Sequence, residues 1–440
     1  MKYIMPFLLI VFMMLLPGCS DDPVDSTSPD PTPSVVRTTA EMTAEELTVL
    51  ESSNKFGIKA FKALIAEAGA TDNVFFSPLS ASYALSLCYN GADGTTREAI
   101  GSTLELANLS LEELNQAYQT ATEILIEADE AVDFRVANSL WSRQGKEIEP
   151  EFIRLAQTYH DARVEEIDFQ AAGAADTINA WVNGATNGLI TQMVQPPIDP
   201  FTAAILFNAI YFKGGWSIKF DTAHTKQESF YLADGSNTEC DMMHLGSDDF
   251  LVEYPGEEYP LMDTNVTSYM DDDVLVLGLP YGNGDFRMTL VLPASSGYGE
   301  EPDHTIDDII AELTPEMWSS WQGRHMAYEM YLSLPKFKFG CDLPLNELLK
   351  SMGMAIAFTE AADFSNLFTD GVGWIDDVKQ KTFIQLDEEG TEAAAVTQVT
   401  FVDALPPSFI FNRPFLAVIH EDNSGAILFM GRISNPVWED

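Results

Sequence analysis

The chain changes its pattern near Gln195, and that change restricts its possible folds more than any other feature. Helical patterns dominate up to this point. Beyond it come long apolar runs bounded by turn residues: AAILFNAIYF, DVLVLGLPY, FRMTLVLP, MYLSLPKFKF, FLAVIH and AILFMGRI. Such runs, rich in β-branched and aromatic residues, read as mostly antiparallel strands. Helices first and strands after predict one large α+β domain. Nothing later in the chain divides it, for no Pro/Gly/Ser-rich stretch is long enough and no internal repeat occurs. The content of 46% apolar and 11% aromatic residues in 440 supplies a large core and excludes a mainly disordered chain. Within the helical part, Thr43-Ala44-Glu45-Glu46 forms a capping box that opens a helix carrying Leu47 and Leu50. A helix with Phe56, Phe61, Leu64 and Ile65 follows. Gly282-Asn283-Gly284, between two strands, reads as a hairpin turn.

The charge excludes several partners. Against 68 acidic residues stand 23 basic ones, a net charge of -45. Nucleic-acid binding needs the Lys and Arg that are scarce here, and an anionic membrane surface is disfavoured for the same reason. Solubility, in a saline habitat for instance, is the simplest use of such acidity. The N-terminus MKYIMPFLLIVFMMLLPGCSDD places Lys2 before an apolar stretch from Ile4 to Leu16. That stretch is short for a bilayer span and is followed at once by acids, so residues 1–18 read as an export signal. Leu16-Pro17-Gly18-Cys19 resembles a lipobox, which implies lipidation of Cys19 and a cell-surface, membrane-anchored location; plain secretion is the alternative. Residues 19–42 then read as a polar, Pro-broken tether, and 43–440 as the single domain.

No active site is legible. The remaining cysteines, Cys88, Cys240 and Cys341, show no C-x-x-C spacing and read as buried thiols, although one bridge is open outside the cytosol. His160, His224, His244, His304, His325 and His420 fall in no metal-ligand spacing. There is no G-x-S-x-G elbow and no phosphate-binding G-x-x-x-x-G-K-S/T. Residues 252–273 read as an acidic insertion, and Asp271-Asp272-Asp273 within it as a solvated turn, since adjacent residues on a strand point to alternate faces. No metal, no cofactor and no enzymatic activity are expected.

Several separated motifs resemble the serpin family, from about Thr43 to Pro436. They are NVFFSPLSASYALSLCYNGADGTTREAI (73–100), VANSLW (136–141), INAWVNGATNGLI (178–190), NAIYFKGGWSIKFD (208–221), LPKFKF (334–339) and MGMAIAFTEAADFSNL (352–367). FNRPFLAVIHEDNSGAILFMGRISNP (411–436) is similar to the family's C-terminal signature. The resemblance implies a fold of three β-sheets with about nine helices and an exposed reactive loop. In serpins a target protease cuts that loop and forms an acyl-enzyme, and the loop then enters the main sheet as a new strand.

The stretch LDEEGTEAAAVTQVTFVDALPPSFIFNRPF (386–415) suits this use. On its own EEGTEAAAVT would also make a surface helix, Ala and Glu being strong helix formers. The resemblance makes Glu388, Glu389, Gly390, Thr391, Glu392, Ala393, Ala394, Ala395, Val396 and Thr397 the hinge. A strand entering a sheet needs small inward side chains and no proline. If Glu392 faces solvent, alternation turns Thr391, Ala393, Ala395 and Thr397 inward, and all four are small. Val396, where relatives more often have Ala, falls on the outward set. Gly390 offers a pivot, and no proline occurs until Pro406. About ten new ladder hydrogen bonds at ~1 kcal/mol each give a gain on the order of 10 kcal/mol. The uninserted state is then metastable and kinetically held.

Other positions carry over from the resemblance. Ser77, Ser80 and Asn208 match the shutter, where central strands part, and Gln380 stands where the family often has His, which removes a titrating group. Trp216 matches the aromatic where insertion begins, or is simply a core Trp. Leu189 stands where many relatives have Lys, which with the net charge argues against glycosaminoglycan activation. The bond cut is Ala404-Leu405, counting from Gly390, or Asp403-Ala404, counting back from Pro406-Pro407. Ala before the bond suits elastase-like or subtilisin-like serine proteases, with cysteine proteases as further candidates; Asp suits an acid-preferring one. The expected partner is thus a serine protease, covalently trapped by a monomer. The competing class is a non-inhibitory serpin acting as a binding or structural module.

Overall fold

A computed structural model describes residues 37–106, 109–245, 266–294, 302–322, 331–389 and 408–439. Two antiparallel strands form its centre: β14 (Phe415–Glu421) and β15 (Ile427–Ile433), every residue of which is buried. They belong to a six-stranded antiparallel sheet, completed by β1 (Val74–Phe76), β7 (Thr267–Met270), β8 (Val274–Tyr281) and β9 (Phe286–Pro293) in the order β1-β15-β14-β9-β8-β7. The sheet separates two cores. Phe415, Ala417 and Ile419 enter one core, and Leu416 and Val418 the other. Burial on both faces explains why these strands read as unbroken apolar runs instead of alternating ones. Between β8 and β9, Gly282 and Gly284 take φ of 50° and 106°, as the expected hairpin turn requires.

A four-stranded sheet holds β5 (Lys226–Tyr231), β6 (Asn237–Leu245), β10 (Tyr331–Pro335) and β13 (Ser408–Ile410) in the order β13-β10-β6-β5. The remaining strands form two groups. One has three members: β2 (Val132–Arg143), β3 (Arg163–Ile167) and β4 (Ala204–Gly214), in the order β3-β2-β4. The other is the pair β11 (Phe337–Pro344) and β12 (Lys379–Leu386). Where three sheets were expected, the described residues therefore show four hydrogen-bonded groups, because β4 and β12 are not paired to each other.

Nine α-helices pack around these layers among the described residues: α1 (Ala44–Glu67), α2 (Pro78–Gly91), α3 (Gly94–Thr103), α4 (Leu111–Ile126), α5 (Pro150–His160), α6 (Ala174–Ala185), α7 (Ile306–Glu312), α8 (Pro315–Gln322) and α9 (Asn346–Leu349). The α+β class is as expected. Thr43 caps α1 with the reciprocal Glu46 box, but α1 is one helix of 24 residues where the sequence read as two. Its Gly57 lets it cross Pro78 closely, since a Cβ there would lie 2.3 Å from the Pro78 Cβ. α2 is the central helix, buried on nearly every side.

Three further differences have physical causes. The first part of the chain contains β2, a strand of 12 residues. Its buried Asn138, Ser139 and Ser142 mask the apolar pattern of a core strand. MYLSLPKFKF is split between β10 and β11, in different sheets, at Pro335. Residues 37–42, read as tether, are folded: Arg37 pairs with Glu46 at 2.7 Å and Thr39 donates to buried Glu421 at 2.8 Å. Asp271 bonds the Asp273 and Val274 N–H groups in an exposed turn between β7 and β8.

Candidate functional site

The two strands that end unpaired edges, β4 and β12, lie over the same helix end. Ser77 caps α2, its hydroxyl accepting from Ser80 N–H at 3.2 Å and donating to the Leu428 carbonyl of β15 at 2.6 Å. Toward β12, the Gln380 side-chain amide accepts from Ser77 N–H at 2.8 Å and donates to Ser77 C=O at 2.9 Å. Toward β4, Ser80 Oγ bonds Asn208 Oδ1. Asn208 lies directly opposite Asn138 and donates to it at 2.7 Å. Asn138 in turn donates to the His160 carbonyl at the end of α5 at 2.7 Å.

The far ends of β4 and β12 meet again. Trp216, just past β4, donates its indole N–H to the Asp387 carbonyl, just past β12, at 3.0 Å. Its ring stacks on Tyr281, centroids 4.5 Å apart and planes at 12°. Trp216 lies eight positions beyond Asn208 and Asp387 seven beyond Gln380, so the strands run in the same direction, level with one another. Near the start of β12, Lys381 Nζ also donates to Gln192 C=O at 3.0 Å. The seam is tied at its ends and open to backbone pairing between them.

Glu388 follows at once. Its carboxylate is buried, yet it receives Lys336 at 2.7 Å and the Thr225 hydroxyl at 2.6 Å, and its carbonyl accepts from Phe220 N–H at 3.3 Å. Burial opposes the charge, but the bonds from Lys336 and Thr225 outweigh it and hold the carboxyl below the usual range. At the other end of the site, burial keeps His160 neutral, its pKa pushed down to about 4. Its Nε2 lies 3.1 Å from Asn115 Oδ1, inside a reciprocal Asn90–Asn115 amide pair.

Ser77, Ser80, Asn208 and Gln380 are thus in one hydrogen-bonded group, with Trp216 at the opposite end of the seam. Glu388 is buried and Glu389 exposed. Gly390–Thr397, Asp403, Ala404, Leu405 and Cys19 lie outside the described residues. Leu189 is exposed. Sequence reasoning missed Asn138, His160, Lys336 and Thr225. Asn138 could have been found by aligning VANSLW with FNAIYF, two strands with one Asn each; the others carry no local signal.

Among the described residues Cys88, Cys240 and Cys341 are free thiols, pushed up to about 12 for Cys88 and Cys240 and about 11 for Cys341 by burial. Among the described residues one enzyme-like contact occurs: Ser333 Oγ lies 3.0 Å from His244 Nδ1, and His244 Nε2 is 3.2 Å from Glu228. Tyr331 OH shares that Nδ1 at 3.1 Å, and Ser333 and His244 are buried between strands, so no substrate carbonyl reaches the hydroxyl. No group of metal-ligating side chains occurs among the described residues.

Comparison with known proteins places the chain in a family. Residues 51–436 match the family described as Serpin (serine protease inhibitor). A serpin-like protein of Thermococcus kodakarensis is 32% identical over 409 residues, covering 89% of this chain and 87% of its own. Wheat (Triticum aestivum) Serpin-Z2A is 33% identical, covering 87% and 95%. Among solved structures, native tengpin, a thermophilic serpin, superposes with a TM-score of 0.73 at 26% identity over 88% of this chain and 94% of its own. Human thyroxine-binding globulin, complexed with thyroxine, gives 0.75 at 25% over 89% and 100%. The chain belongs to the serpin family.

Proposed function

We propose that this serpin is an irreversible suicide-substrate inhibitor of serine proteases of elastase-like or subtilisin-like preference, cysteine proteases being further candidates. The observation that carries the reading is the seam. β4 and β12 run the same way with facing edges free, and β12 leads directly into the hinge sequence. A segment that turns back at Gly390 runs antiparallel to both strands and completes the sheet between them. Gly390–Ala404 is long enough to lie beside all 11 residues of β4. In the reaction the protease nucleophile attacks the Ala404 carbonyl, the Ala404–Leu405 bond breaks, and the Leu405 nitrogen leaves with a proton. Asp403-Ala404 is the alternative bond. Insertion then has to outrun hydrolysis of the acyl-enzyme.

The competing reading is a module whose loop does not insert, since thyroxine-binding globulin shows a serpin fold serving a ligand. The small inward set Thr391, Ala393, Ala395 and Thr397 favours insertion. Incubation with a protease panel decides between them. An SDS-stable complex, with release of a peptide beginning at Leu405, supports inhibition; cleavage with full protease recovery supports the module. Heparin activation is not expected at a net charge of -45 with Leu189 exposed.

We also infer a surface location through lipidation of Cys19, with residues that follow it as tether. Expressed in a host with lipoprotein processing, the protein should partition into detergent, and Cys19→Ser should abolish this. Equal partitioning of both forms would leave plain secretion.

A further inference from the structure

The segment after β15 returns across the outer edge of β11. Lys338 N–H donates to Val437 C=O and Lys338 C=O accepts from Glu439 N–H, both at 2.8 Å, a parallel bridge between Lys338 and Trp438. Gly340 N–H adds a bond to the Glu439 carboxylate at 3.3 Å. The opposite edge of β11 holds β12, so this short strand lies on the side away from the seam.

Along β11, Phe337 and Phe339 are buried and Lys338 points to the other face, while Lys336, just before the strand, is only part-buried. The Trp438 ring lies there, 5.2 Å from Lys336 Nζ and 5.9 Å from Lys338 Nζ. Lys336 is the cation of the Glu388 ion pair. One indole face therefore bears on the group that fixes Glu388, two residues before Gly390.

We propose that Trp438 is a positioning residue for the reactive loop: it holds Lys336 against Glu388 and so raises the barrier to premature insertion. A lysine has many rotamers, and only a few bring its ammonium to a buried carboxylate. The ring attracts the ammonium through its quadrupole and covers the aliphatic stem, which removes competing rotamers. Glu388 cannot leave its site without breaking that ion pair, and the residues that follow it are the first to enter the sheet. The inference rests on the reading of this loop as one that inserts.

The test uses the full chain, uncleaved, held a few degrees below its melting temperature. The measurement is the rate of conversion to a form that resists loop cleavage and urea. Trp438→Ala should accelerate conversion about two- to five-fold, the worth of one cation–π contact at an exposed site. Trp438→Phe, which keeps a ring face, should restore most of the parental rate. In a Lys336→Ala background, Trp438→Ala should have no further effect. A parental rate in Trp438→Ala, or an undiminished effect without Lys336, overturns the proposal. A chain stopped after Pro436 should behave as Trp438→Ala; if it does not fold, the point variants decide. A parent that traps no protease and never converts overturns the insertion reading itself, and this proposal with it.

Discussion

Gln380 and Ser77 bond as two peptides do in a sheet, the amide oxygen accepting from Ser77 N–H at 2.8 Å and the amide nitrogen donating to Ser77 C=O at 2.9 Å. Only a side-chain amide presents acceptor and donor side by side. An imidazole has its two nitrogens on different edges of the ring and serves one of these groups. Gln380→His should therefore leave one buried bond unmade and cost about 1–3 kcal/mol. Urea unfolding at pH 8, where His is neutral, measures this. Unchanged stability would show that the pairing contributes nothing.

Acid should weaken the fold through two buried histidines. His420 contacts Thr289 at 2.8 Å and Gln322 at 3.3 Å, with Asp422 3.9 Å away. Burial pushes it and His160 down to about 4, in His420 against the pull of Asp422. Both folded values lie below the ordinary 6.5, so the unfolded chain takes up protons that the fold refuses. Stability should fall as pH drops from about 6.5 to about 4, by up to ~1.4 kcal/mol per pH unit for each histidine. Glu388, whose carboxyl is held below the usual range against burial by Lys336 and Thr225, loses its charge and the Lys336 bond only as the pH falls beneath the ordinary carboxylate range. Urea midpoints between pH 7 and 4.5 test this. His420→Gln should flatten the slope, and an identical slope in both proteins would exclude His420.

Cleavage in the loop should stabilise the chain. A strand seated between β4 and β12 adds about ten ladder bonds and a gain on the order of 10 kcal/mol. The melting temperature of the nicked protein should rise by on the order of tens of degrees over the intact one. Differential scanning calorimetry before and after verified cleavage at Ala404 is the measurement. No rise would place the chain among passive modules.

The sheets were partly legible in the sequence. β8, β9, β14 and β15 stood out because burial on both faces makes each run mostly apolar, interrupted only by a few buried polar residues such as Arg287, Thr289, His420 and Arg432. β2 did not, since its buried Asn138 joins the hydrogen-bonded group with Asn208 and its buried Ser139 accepts from the Trp141 indole N–H. The seam itself was invisible: Asn208 and Gln380 are 172 positions apart, and only the fold puts both against α2. Ser77, Ser80 and Asn208 were found through family resemblance, not periodicity. Lys336 and Trp438 were missed altogether, because an ion pair stacked on a ring leaves no local pattern.

The face assignment of the hinge allows the sharpest test. β12 ends at Leu386, and on the insertion reading Gly390, two residues beyond Glu388, is the pivot about which the loop enters the sheet. With Glu392 facing solvent, Thr391 is the first inward side chain on entry. Thr391→Arg would bury an unpaired guanidinium at the earliest step, at a cost of about several kcal/mol. The loop tip at Ala404-Leu405 is unaltered, so a protease should cut it at a similar rate. Insertion would be slowed, and water would hydrolyse the acyl-enzyme first. Thr391→Arg should therefore be a substrate, consumed without trapping enzyme, while Glu392→Arg should inhibit like the parent. Stoichiometry of inhibition, read beside SDS-stable complex, separates these outcomes. Equal inhibition by both variants would mean that the inward set is wrong.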